Sequence, residues 1–215
     1  MLRTILTVSS LLALTACGGI RDDLAKTPDP IGRFLLGYDI VVSENPQKGP
    51  FSRNATNEEW IAAVETSLRD RFSRYDGDQY YHIAVSVDGY VLGIPGIPIV
   101  YSPRSVLIIG VTFYEDATQQ KLNPEPIRLT VFEPCCSVPL LGTGYTRSAE
   151  KQMEGLAFNA ARAIERTMRQ NADWFGGTPE TLAEDPTIVA GNVLVDNPEA
   201  LAPPQVATTP LPATN

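Results

Sequence analysis

The chain has 215 residues, of which 43% are hydrophobic and 20% charged, and a formal net charge of −8. That length holds one domain with tails, and that hydrophobic share excludes a wholly disordered chain. A pI near 4.7 excludes a nucleic-acid binder, which needs a basic face, and a single histidine excludes a His-rich metal site.

Arg3 supplies an early positive charge, and residues 5–14 form a ten-residue, mostly apolar run. A bilayer span needs about 20 residues, so the run matches the apolar core of a secretory signal peptide instead. It ends in Leu14-Thr15-Ala16-Cys17, followed by Gly18-Gly19. This ending resembles the lipobox of bacterial lipoproteins: an aliphatic residue, two small residues, then cysteine. The resemblance implies that 1–16 are a signal peptide removed by signal peptidase II. It also implies a diacylglycerol on the Cys17 thiol and an acylated new amino terminus. One acyl chain holds only marginally at about 0.8 kcal/mol per buried CH₂, whereas two chains on sulfur and one on nitrogen hold stably. Membrane lipid is then a partner through Cys17. Gly18 after the cysteine, rather than an aspartate, implies the outer membrane, facing the periplasm.

Residues 17–33 read as lipidated cysteine and polar tether, with Gly18, Gly19, Pro28, Pro30 and Gly32. Residues 34–177 read as the folded domain. Residues 34–43 are rich in β-branched and aromatic side chains and predict a strand. Thr56-Asn57-Glu58-Glu59 predicts a capping box, and Ile61, Val64, Leu68 and Phe72 predict the buried stripe of a first helix. Arg69, Asp70, Arg71 and Arg74 are expected on its surface.

In 80–92, Tyr81, Ile83, Val85, Val87 and Val91 share one face, and His82, Ala84, Ser86, Asp88 and Tyr90 share the other, a half-buried strand. Residues 106–115 are apolar on both faces and predict a central strand, and 127–133 a further strand. Ser148 is the expected N-cap of a second helix, with Met153, Leu156, Ala160, Ile164 and Met168 buried. Trp174 and Phe175 are expected to fold back before Gly176-Gly177. The order β-α-β-β-β-α predicts an α+β fold, with two amphipathic helices on one face of a four-stranded, mostly antiparallel sheet. The first strand is the one that can run parallel to a neighbour. Residues 178–215 hold seven prolines and five acidic residues without Lys or Arg, and read as a disordered tail. Within the tail, 187–195 is apolar enough to dock as an extended segment.

No catalytic or metal-binding constellation emerges, and no cofactor is implied. His82, Ser86 and Asp88 share a strand face, but residues two apart on a strand lie about 6–7 Å apart and parallel, unlike a nucleophile in reach of its base. His82 therefore reads as a solvent-facing or hydrogen-bonded strand residue. Cys135-Cys136 can close a strained, reducible ring, pair with a partner, or sit buried. Residues 142–146 carry two glycines before a helix but lack the third glycine of a dinucleotide turn, and read as a connection. The stretch 93–103, with Ile94, Pro95, Ile97, Ile99 and Tyr101, is apolar, uncharged and stiffened by proline. Such a segment loses little entropy on docking and suits a protein or lipid contact, unless it folds back over the sheet end.

The lipobox with a small α+β domain resembles envelope lipoproteins. The layout of 34–177 is similar to accessory lipoproteins of envelope transport and assembly systems. The expected function is a membrane-anchored, non-enzymatic binding or assembly component with an envelope protein partner. The alternatives are an envelope hydrolase, for which Glu115, Asp116 and Glu133 are the only carboxylates on offer, or a thiol-redox protein using Cys135 and Cys136.

Overall fold

The computed structural model describes residues 22–94, 105–133, 147–179 and 193–195. Strand β1 (Phe34–Val42) is followed by a two-residue strand β2 (Gln47–Lys48) and helix α1 (Asn57–Phe72). Strands β3 (Gln79–Val91), β4 (Val106–Glu115), β5 (Gln120–Lys121) and β6 (Ile127–Phe132) come next. Helix α2 (Ala149–Gln170), a short 3₁₀ turn (Ala172–Phe175) and strand β7 (Val193–Val195) complete the described chain. The sheet runs β1-β3-β4-β6-β7, with β2 beside β3 and β5 beside β4. β1 and β2 pair with β3 in parallel, and every other pairing is antiparallel. The α+β class and the four principal strands are those read from the sequence, and the parallel partner is β1. Three short strands widen the sheet, and β7 is the part of 187–195 that docks as extended chain, so the C-terminal tail is not wholly without structure.

Helix α1 starts where the capping box puts it. Thr56 Oγ1 accepts from Glu59 N–H at 3.2 Å, and Glu59 Oε2 accepts from Thr56 N–H at 2.7 Å. Two of the N–H groups that a helix start leaves unpaired are thereby satisfied. The buried stripe is Trp60, Val64, Leu68 and Phe72, a strict four-residue repeat. Trp60 thus takes the anchor position expected of Ile61, which packs at the margin of the core. α1 lies against β1, and α2 lies against β4 and β6. In α2 the expected residues Met153, Leu156, Ala160, Ile164 and Met168 are all buried, and small residues at 157, 161 and 163 bring the helix close to the sheet.

Strand β3 keeps its predicted parity only as far as Val87. The β3–β4 register shifts between Val87 and Gly89, a bulge that adds one residue to β3. Beyond it the faces exchange: Tyr90 is buried and Val91 half-exposed, the reverse of strict alternation. Tyr90 then packs on Trp60 at 5.2 Å between ring centroids, and its hydroxyl donates to Ala55 O at 3.2 Å.

The stretch 18–33 was expected to be a tether, yet from Asp23 onward it is packed on the domain. Ile31 is 1% exposed, and Arg33 N–H donates to Phe175 O at 2.7 Å. Phe175 closes this end of the core, with ring centroids 5.7, 5.1 and 5.6 Å from Phe34, Tyr81 and Phe113. Residues 23–33 therefore belong with the folded domain, which the sequence reading began at 34. Scattered apolar residues such as Leu24 and Ile31 in a polar stretch are too weak a signal to mark core until their pockets are seen.

Arg71 is the largest departure on the helices. Expected at the surface, it is 2% exposed between α1, α2 and the N-terminal segment. Its Nη1 donates to Glu165 Oε2 at 2.6 Å, its Nη2 donates to Asp23 Oδ2 at 2.9 Å, and its guanidinium lies 5.1 Å from the Phe158 ring centroid. The Tyr75 hydroxyl donates to the other oxygen of Glu165 and accepts from Arg169 Nη2 at 3.0 Å.

Burial and the neighbouring Glu165 carboxylate push the Tyr75 phenol far above its ordinary value, and burial also raises Tyr81. The unfolded chain releases these protons near pH 10.0 while the folded chain holds them. The contribution is complete below that pH and is lost as pH rises through the folded values. Urea midpoints are therefore expected to fall steeply above pH 10. Tyr75→Phe should flatten that fall, and an unchanged slope in the variant would refute the assignment.

Candidate functional site

The residues weighed for catalysis each have a structural partner. His82 Nδ1 accepts from Tyr38 N–H at 3.0 Å, and its Nε2 lies 3.0 Å from Asp116 Oδ1. This is the hydrogen-bonded strand histidine of the sequence reading. Ser86 Oγ donates to Asp88 Oδ1 at 2.8 Å and sits opposite Gly110 on β4. His82 is four residues from Ser86 on the same strand, about 13 Å away at strand rise, so the two do not meet. Glu115 accepts from Gln79 Nε2 and from Thr118 Oγ1, and Asp116 is held by His82. Glu133 is buried, accepting from Arg147 Nη1 at 2.9 Å. Glu115 and Asp116 are neighbours at the C-terminal end of β4, whereas Glu133 N–H donates to Ser105 O beside its N-terminal end, so the three do not converge. Among the described residues, no group of three or more His, Cys, Asp or Glu side chains is placed to hold a metal ion.

Of the apolar stretch 93–103, the structure describes Gly93 and Ile94. Gly93 is buried: its N–H donates to Ser105 Oγ at 3.1 Å, and its C=O accepts from Gln152 Nε2 at 3.1 Å. Ile94 is half-buried. Pro95, Ile97, Ile99 and Tyr101 lie outside the described residues, as do Cys17, Cys135, Cys136 and residues 142–146. Beside Gly93, bridged to it through Ser52, stands Phe51. Phe51 has φ +56° and is 71% exposed. A bulky side chain in the left-handed region is a true outlier, and here it holds an aromatic ring in water at this end of the sheet.

The most conspicuous surface was not foreseen. β1 is the outermost strand of its side of the sheet, and its outward face carries Tyr38, Ile40 and Val42, exposed by 69, 53 and 48%. Tyr80 is exposed on neighbouring β3. The β1–β3 register shifts between Leu36 and Asp39, so a bulge interrupts the first half of the strand and leaves 39–42 regular. Soluble proteins protect such edges with lysine, proline or charge. β1 has neither lysine nor proline, and its one charge, Asp39, turns to Arg69 Nε at 3.0 Å. Beside the stripe, a cleft of about 860 Å³ opens between the 44–50 segment and the sheet, with Val42, Val106 and Ile108 as apolar wall and Asp88 and Arg128 at the polar side. The sequence signal for the stripe is present in Tyr38, Ile40 and Val42 at two-residue spacing, but the same spacing serves a buried face.

No protein-family model matches the sequence, and no curated protein matches it. Solved structures do show similar arrangements. A candidate lipoprotein from Caulobacter crescentus CB15 is 14% identical with a TM-score of 0.35, over 76% of this chain and 100% of that one. Protein XCC0632 from Xanthomonas campestris, of family DUF330, is 11% identical with a TM-score of 0.36, over 64% and 86%. A minor lipoprotein from Acinetobacter baumannii is 16% identical with a TM-score of 0.28, over 63% and 92%. At this identity and superposition, no activity, ligand or partner is carried across from them. No helix among the described residues is long and apolar enough to cross a membrane.

Proposed function

We propose that the protein is a bacterial envelope lipoprotein, held by lipid on Cys17 in the outer membrane and facing the periplasm, that works by binding another envelope protein. The observation that carries the binding role is β1, the edge strand among the described residues, with Tyr38, Ile40 and Val42 exposed. An extended segment of a partner can add to such an edge, its backbone completing the hydrogen bonds and its side chains covering the stripe. The exposed Phe51 extends the contact at the adjoining sheet end, and the apolar 93–103 sequence, with Ile94, Pro95, Ile97, Ile99 and Tyr101, suits the same kind of partner by its composition. The anchor follows from Leu14-Thr15-Ala16-Cys17. The carboxylates that a hydrolase would use are each committed to a structural partner, which favours binding over catalysis.

The test uses a photo-crosslinking residue at position 40 in intact cells, with position 125, exposed elsewhere, as control. A discrete protein adduct from 40 and none from 125 is expected, together with palmitate labelling that disappears in Cys17→Ser. Absence of an adduct from 40 would overturn the binding surface, and palmitate labelling retained in Cys17→Ser would overturn the anchor.

A further inference from the structure

A second surface lies on the opposite layer, between the helices. A groove of about 500 Å³ runs between α1 and α2, floored by Leu24, Ala63, Met153 and Phe158. Glu59, Asp70, Glu150 and Glu154 line its rim, all exposed, and no lysine or arginine is among the lining residues. From Glu59 to Asp70 the α1 wall covers twelve residues, about 16 Å from first to last at helical rise. That is three turns of a helix. Ala62, Ala63, Thr66 and Ser67 keep this wall low, so a third helix can approach at about 8–10 Å between axes.

From these observations we infer that the groove receives a basic amphipathic helix of a partner protein. Its apolar stripe seats on the floor, and its lysine or arginine flanks pair with Asp70 on the α1 side and Glu150 on the α2 side. Charge selects this occupant. An anionic membrane surface is repelled by four carboxylates, and a two-fold pairing of two copies through this groove would set acidic rim against acidic rim. This surface is separate from the β1 edge and does not depend on lipidation.

The probe is a fluorescein-labelled peptide of about four turns, with leucine at i, i+4 and i+7 and lysine elsewhere. Anisotropy titration uses the full chain in phosphatidylcholine nanodiscs, with empty nanodiscs as blank. Saturable binding that weakens with added NaCl is expected. Ala63→Trp, which fills the floor, and the Asp70→Asn/Glu150→Gln pair, which keeps the fold while removing charge, should each weaken it about tenfold. Glu125→Gln, an exposed acid outside the groove, should leave it unchanged. Equal weakening by Glu125→Gln, or none by either groove variant, would overturn the inference. So would binding that appears only after residues 18–21 are deleted, because the chain's own Ile20-Arg21 would then be the occupant.

Discussion

Arg71→Ala is expected to lower the unfolding free energy by about 3–5 kcal/mol, the usual cost of breaking a buried ion pair from one side. The reason is what the substitution leaves behind. Arg71 reaches Glu165 on α2 and Asp23 in the N-terminal segment and so ties both to α1. Without it, the Glu165 carboxylate keeps the Tyr75 hydroxyl on Oε1, with Arg74 and Arg169 at 3.9 and 3.8 Å, but its Oε2 loses the 2.6 Å bond to the guanidinium. Arg71→Met, which keeps the contact with the Phe158 ring, should recover only a minor part, because the lost guanidinium bonds to Glu165 and Asp23 carry most of the cost. Urea unfolding of the three proteins measures this directly. A loss below about 1 kcal/mol would mean that the network behaves as a set of surface ion pairs.

Phe175→Ala is expected to cost about 3–5 kcal/mol, as for other fully buried aromatic truncations. Phe175 joins three aromatic residues of three strands, Phe34, Tyr81 and Phe113, at edge-to-face angles of 88°, 76° and 88°. Its carbonyl also receives Arg33 N–H, so the ring fixes where the N-terminal segment enters the fold. Gly32 makes that entry possible. It has φ +52°, and a Cβ there would lie 2.2 Å from Phe175 O. The variant should therefore lose amide protection first at Ile31 to Phe34, before the centre of the sheet. Global unfolding at the original midpoint, with protection at Ile31 unaltered, would contradict this account.

Much of the architecture is legible from local signals. The Thr56–Glu59 capping box is visible in four residues because both bonds are short-range. The α2 stripe from Met153 to Met168 is visible because one face of an isolated helix suffices to define it. The run of apolar residues on both faces of β4 correctly marks a strand with neighbours on each side, β3 and β6. The exposed apolar surface and the buried polar network are less legible. β1 is as apolar as β4, and its exposed face becomes evident only when the strand order leaves β1 outermost. The β3 bulge moves Tyr90 inward, and alternation alone cannot announce an added residue. Arg71 is written as a surface residue by every local rule, since a buried arginine depends on partners 48 and 94 residues away.

The sequence by itself therefore determined both helices, the buried face of α2, the four principal strands and the α+β class. Each of these rests on chemistry within one segment: a cap, a periodic stripe, an apolar run. Only the tertiary structure decided which strand stands at the edge and that 23–33 belongs to the domain. It also decided which carboxylates are engaged, and that two helices leave an acidic groove between them. Those features are set by strand order and by pairings between distant residues, where the free energy depends on what a side chain meets rather than on what it is.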